Sequence, residues 1–247
     1  MTESVSRETP PAPPAPAAAR GVFSDTLSLA EEFADLLAHE GVVRGLIGPR
    51  ETPRLWDRHL LNCAVLGEAL LPAASVCDIG SGAGLPGLVL AIVRPDLQVC
   101  LVEPLLRRTA FLEEAVERLG LGNVEVTRAR ADEVHGTREF DVVTSRAVAP
   151  LDRLADWSMP LVRQGGHLLA MKGTTAGAEV DAAATTLRRH GAGAVDLLRL
   201  GIGVIDPPTT VVRVEATRPS RLGWDRSTAG AKGSSPRQRS RTKGRPS

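Results

Sequence analysis

Between Asp78 and Gly87 the chain reads Asp-Ile-Gly-Ser-Gly-Ala-Gly-Leu-Pro-Gly. The stretch follows a short apolar run, Ser75-Val-Cys-Asp-Ile79, and leads into a second apolar stretch over residues 85–93. Strand, glycine turn and helix in that order open a βαβ unit. Glycines let the backbone turn sharply and let a ligand approach closer than a Cβ permits. Pro86 suits a first helical turn, where its missing N–H leaves no bond unmade. Four glycines within eight residues weaken a fold unless a ligand compensates, so the loop points to a nucleoside-containing ligand.

The rest of the chain fits that opening. Further strands are expected over residues 99–102, 123–127, 140–144 and 166–171, with helices over Leu106–Leu119 and residues 151–162. Two late β-rich segments, 195–200 and 209–214, predict a closing antiparallel hairpin. Strands that alternate with helices imply a seven-stranded, mostly parallel sheet covered on both faces. Ahead of it, Ser24 reads as the cap of a helix whose apolar face holds Leu27, Ala30, Ala34 and Leu37 and which stops at Gly41. A second helix is expected from near Pro53, carrying Leu55, Leu60, Ala64 and Leu66.

The ends differ from this body. Residues 1–20 are rich in Pro and Ala and lack a large apolar face, which predicts a disordered or extended tail. Residues 218–247 hold nine Lys or Arg against one acid, so the net charge of +1 is a basic tail on an acidic body. That pattern suits a polyanionic partner and predicts a disordered end. The division expected is therefore 1–20 tail, 21–72 helical extension, 73–217 ligand-binding domain and 218–247 basic tail. Cys63, Cys77 and Cys100 each sit in an apolar run without metal-ligand spacing, as buried thiols in a reducing compartment do. No run spans a bilayer and no secretory signal opens the chain, so a cytoplasmic protein without membrane or metal partners is expected.

The loop alone leaves its ligand open. Gly82-Ala-Gly84-Leu-Pro-Gly87 matches the dinucleotide fingerprint, and Glu103 follows about twenty residues on, where an acid meets ribose hydroxyls. Three features favour S-adenosylmethionine over a nicotinamide. Asp78, two residues before Gly80, suits an ammonium or a bound water and would repel a pyrophosphate. Arg130-Ala131-Asp132 follows the third strand, where a backbone N–H and a carboxylate suit adenine. After the seventh strand no second domain remains for a hydride acceptor.

Several further motifs carry a family resemblance over about residues 24–216. They are Arg58-His59, Arg107-Arg108 with Phe111-Leu112, and Leu119-Gly-Leu-Gly-Asn123-Val. With them stand Arg130-Ala-Asp132, Phe140-Asp-Val-Val-Thr-Ser-Arg146-Ala147 and Met171-Lys172-Gly173. Together with the glycine loop they resemble the RsmG (GidB) family, the guanine-527 N7 methyltransferases of 16S rRNA. The resemblance implies a class I S-adenosylmethionine-dependent methyltransferase fold, Rossmann-like, with an N-terminal helical extension. It implies cofactor contacts at Gly80, Leu85, Ala131, Asp132 and Arg146, to which the loop reading adds Asp78, Gly82 and Glu103. The partner it implies is 16S rRNA or the small ribosomal subunit. The chain departs from the family in carrying Glu103-Pro104 after the second strand, Asp132 in place of Glu, and Pro207-Pro-Thr-Thr210 where a basic residue is common.

Guanine N7 offers a lone pair and loses no proton on methylation, so no general base is needed. Alignment of the reacting atoms carries the catalysis, which fits the absence of an obvious catalytic dyad. Arg146, at the end of the fourth strand, is the catalytic candidate, orienting the cofactor carboxylate or guanine O6. Arg58, His59 and Lys172 are candidates for the substrate, against a helix arginine, a satisfied histidine and a solvated lysine. Trp56 and Trp157 fit packing better than base stacking, and Arg107 and Arg108 fit a solvated helix face. A non-catalytic RNA-binding assembly factor and a nicotinamide oxidoreductase remain as other readings.

Overall fold

The computed structural model describes residues 11–220. Seven strands form one sheet in the order β3-β2-β1-β4-β5-β7-β6. They are β1 (Ser75–Ile79), β2 (Gln98–Val102), β3 (Val124–Thr127), β4 (Phe140–Arg146), β5 (Val162–Lys172), β6 (Ala192–Leu200) and β7 (Thr209–Ala216). The first five are parallel, and β7 runs antiparallel between β5 and β6. The expected hairpin is present, inserted so that its second strand pairs with the parallel part.

Side chains alternate across each strand, and both faces are buried. Val76, Val99, Leu101, Val142, Leu169 and Val211 point into one core. Cys77, Cys100, Val102, Val143, Leu168 and Val212 point into the other. All three cysteines are buried free thiols.

The first core holds the helices α1 (Ala17–Phe23), α2 (Leu27–Leu36), α3 (Asn62–Ala64), α4 (Gly87–Val93) and α5 (Leu106–Leu119). Short α6 (Ala131–Val134), then α7 (Leu151–Ser158) and α8 (Ala176–Arg189), serve the second face. The N-terminal extension is thus continuous with the sheet's own core: Phe23, Phe33, Leu37, Leu55 and Leu60 lie in the cluster that contains Val99 and Leu101.

Three expectations need correction. Residues 17–20 are not a disordered tail but part of α1, because Ala19 and Phe23 are buried and Phe23 meets Trp56 edge-on at 6.1 Å. Trp56 Nε1 also donates to the carbonyl of Pro13 (2.8 Å), which ties the extended residues before α1 to the body. Ser24 makes no side-chain cap; it begins a 3-10 turn, Ser24–Thr26, that joins α1 to α2. Residues 1–10 and 221–247, including nearly all of the expected basic tail, lie outside the described residues.

The second expected helix is a run of mixed winding. A 3-10 stretch, Pro49–Arg54, leads into a π-helical stretch, Leu55–Leu61, then α3, then a 3-10 stretch, Val65–Ala69. Isolated π winding is rare and is frequently found at functional sites. Here it carries Arg58 and His59.

Candidate active site

The parallel strands reverse their order between β1 and β4. Ligands of open α/β sheets bind in the crevice outside the carboxyl ends of the strands at that point. Two cavities lie there. The first, about 590 Å³, is lined by the glycine loop, the ends of β2 and β4, and the segment entering α6. The second, about 1190 Å³, lies between the ends of β4, β5 and β7 and reaches Arg58 and Asn62 of the extension. Arg146, Ala147 and Val148 line both and form the wall between them.

The loop's shape follows from its residues. A Cβ at Gly87 would overlap Leu101 and crowd Asp78 Oδ2 at 2.8 Å, so only glycine lets α4 start this close to β1. Gly80 turns with a φ of 69° beside Val148, a conformation side-chain-bearing residues avoid.

Asp78 corrects the expectation placed on it. Its carboxylate is fully buried, does not line the cavity, and accepts a hydrogen bond from Gly87 N–H (2.9 Å). It braces the turn from within. Burial pushes its acid up to about 7, against the pull of the Gly87 N–H and of Arg146.

Gly80, Gly82, Leu85, Glu103, Ala131, Asp132 and Arg146 do line the first cavity. Glu103 is almost fully buried and ties the site together, accepting from Gly82 N–H (3.1 Å) and Leu105 N–H (3.0 Å). Arg108 reaches to 3.5 Å from the same carboxylate, and its Nε is buried without a partner among the described residues. That corrects its placement on a solvated face. Trp157 also borders this cavity. The sequence signal for both was present but read the other way, since helix periodicity cannot distinguish a face turned to solvent from one turned to a cleft.

S-adenosylmethionine fits this lining. The orphaned donor on Arg108 suits a ligand acceptor, and a carboxylate keeps lone pairs beyond the two N–H bonds Glu103 accepts. The apolar sides of Leu85, Leu105 and Trp157 suit a flat heterocycle. Among the described residues no group of three or more His, Cys, Asp or Glu is placed to hold a metal.

The substrate candidates divide. Arg58 is exposed, pairs with Glu51 (3.2 Å) and lines the second cavity. His59 is 6% exposed and lines neither cavity, which weakens the expectation that it contacts RNA. It lies between Glu51 Oε2 (2.9 Å) and Arg146 Nη2 (2.5 Å). Burial, with Arg146 and Arg58 close by, holds its pKa down to about 4, so the ring is neutral. Lys172 borders the second cavity but donates to the carbonyl of Ala149 (2.7 Å) and pairs with Glu179 (2.8 Å). Its charge is already matched, which weakens the expectation that it holds phosphate.

A family model described as GidB, rRNA small subunit methyltransferase G, matches residues 26–201. The chain belongs to the GidB family. A relative from Nocardioides sp. named "Ribosomal RNA small subunit methyltransferase G" is 62% identical over 225 residues, spanning 91% of this chain and 89% of the relative. Another of that name from Thermobifida fusca is 57% identical over 83% of this chain and 87% of its own length. A solved SAM-dependent O-methyltransferase from Thermotoga maritima superposes with a TM-score of 0.50 at 14% identity, covering 75% of this chain and 72% of that one. The GidB chain thus has the class I methyltransferase fold. Its loop is the methyltransferase form of the glycine turn, and the nicotinamide reading drops out. None of its described helices is long and apolar enough to cross a membrane.

Proposed function

We propose that this protein transfers a methyl group from S-adenosylmethionine to N7 of a guanine in 16S rRNA, guanine-527 in the 530-loop region, in the cytoplasm. One observation carries the reading for this chain: Arg146 stands in the wall between a nucleoside-sized cavity and a larger one open toward basic residues. When bound, the donor supplies an electrophilic methyl group on a sulfonium.

The chain's own residues do the rest. Gly80, Gly82 and Leu85 hold the donor's amino-acid end and ribose close to the backbone, Glu103 takes the ribose hydroxyls, and Ala131 and Asp132 take the adenine edge. The second cavity receives the guanine base, with Arg58 and Arg199 at its rim for the phosphates that flank it. Arg146 directs N–H donors toward guanine O6, next to N7. Because N7 carries no proton to remove, positioning is the whole task, worth up to about 7–11 kcal/mol when reacting atoms are well aligned. His59 is accordingly not a base: its ring is neutral but closed in by Glu51 and Arg146.

The test is to map N7-methylguanine in 16S rRNA from cells with and without the protein, and to follow labelled methyl transfer to naked 16S rRNA and to small subunits. The expected result is one modified guanine that vanishes with the protein. A 16S rRNA methylated identically in both cells would refute the reading.

A further inference from the structure

A guanidinium donates hydrogen bonds and accepts none. With Arg146 Nη2 2.5 Å from His59 Nδ1, that ring nitrogen must present a lone pair. The proton of the neutral ring then sits on Nε2, 2.9 Å from Glu51 Oε2. The tautomer is thus dictated from both sides. The same Glu51 oxygen lies 3.2 Å from Arg58 Nε. On the other arm of Arg146, Nη1 donates to the carbonyl of Arg58 (3.2 Å) and to Cys63 Sγ (3.4 Å). Three of five guanidinium N–H bonds are therefore engaged by the helical run 49–69. Among the described residues, Nε–H and one Nη2–H have no partner, and the residue that carries them lines both cavities.

We propose that Glu51 and His59 are positioning residues, which lock the plane of the Arg146 guanidinium so that its two remaining donors face the target guanine. This rests on the assignment of Arg146 to the guanine. The π stretch Leu55–Leu61 is part of the device, since it supplies both the Arg58 carbonyl and the His59 ring to one guanidinium. An arginine on a strand end would otherwise sample many rotamers, and a misplacement of about 1 Å can lower turnover on the order of a hundredfold.

Two amide variants separate the halves of the ring. In His59→Asn the side-chain oxygen falls where Nδ1 stood and still accepts from Arg146. In His59→Gln the amide reaches Glu51 but leaves Arg146 without its acceptor. The Asn variant, which keeps the acceptor for Arg146 but loses the Glu51 contact, is expected to lower kcat about threefold to tenfold, and the Gln variant to lower it further, on the order of a hundredfold, with KM for small subunits little changed in either. Nitrogen-15 NMR of the wild-type ring, read on the protein alone at neutral pH, should show Nε2 protonated and Nδ1 bare. Equal turnover in the two variants, or a ring protonated at Nδ1, overturns the proposal. A wild-type protein that transfers no methyl group would strike instead at the proposed reaction, and the ring's tautomer would still decide the positioning.

Discussion

Asp78 and His59 show how burial sets the chemistry of single groups. Asp78 titrates near 7 in the folded chain, above its ordinary 3.8. Between those values the folded state holds a proton that the unfolded chain has released, so stability falls as pH rises through the window, by about 4 kcal/mol at most. His59 acts with the opposite sign: its folded value of about 4 lies below 6.5, so stability falls as pH drops from 6.5 toward 4. Asp78→Asn keeps an acceptor for Gly87 N–H and removes the acid. Melts of this variant and wild type from about pH 5 to about pH 8 should diverge, the variant gaining relative stability with pH. A constant difference across the range would show that Asp78 does not titrate there. Arg146→Ala should lower turnover on the order of a hundredfold, read in methyl transfer to small subunits. Unchanged turnover would remove Arg146 from the catalytic role.

Helix α1 was not visible in its own composition. Residues 11–20 are Pro and Ala with one Arg, and only Phe23 gives the helix a large anchor. What orders it is tertiary: Phe23 against Trp56, and the Trp56 indole on the Pro13 carbonyl. Phe23→Ala should therefore cost about 3–5 kcal/mol, the range for emptying a buried aromatic site. Urea unfolding would register it as a lower midpoint with an unchanged slope; a midpoint equal to wild type would mean that α1 is not docked in solution. Helix α8 escaped for a similar reason, since its buried contacts are Ala176, Ala183 and Leu187, too small and too widely spaced to mark a face. The strands were legible because a two-faced sheet demands continuous Val, Leu and Cys, and the loop because glycine has few other uses at that density. Within the site, the cavity-lining glycines, Glu103 and Arg146 could be read from position along β1, β2 and β4. The inward turn of Asp78, the enclosure of His59 and the approach of Arg108 could not, because each depends on a partner far away in sequence or on helix phase.

Taken whole, the molecule is an acidic body followed by a basic segment. Removing residues 221–247 should flatten the salt dependence of RNA binding, by roughly 0.7–0.9 in log–log slope for each phosphate left without its cation, and leave S-adenosylmethionine affinity unchanged. Filter binding across a salt series reads the first and calorimetry the second; an undiminished slope would deny the segment a part in binding RNA. Its root is fixed: Thr217 and Arg218 N–H both donate to the carbonyl of Gly191, and Ser220 meets His190 at 2.7 Å. That root stands at the opposite pole from the cleft, because β7 begins at the second cavity with Thr209 and descends antiparallel to β5. Eight residues of strand put about 25 Å between the two ends. Any contact between the residues that follow this root and RNA at the cleft mouth must therefore bridge about that distance.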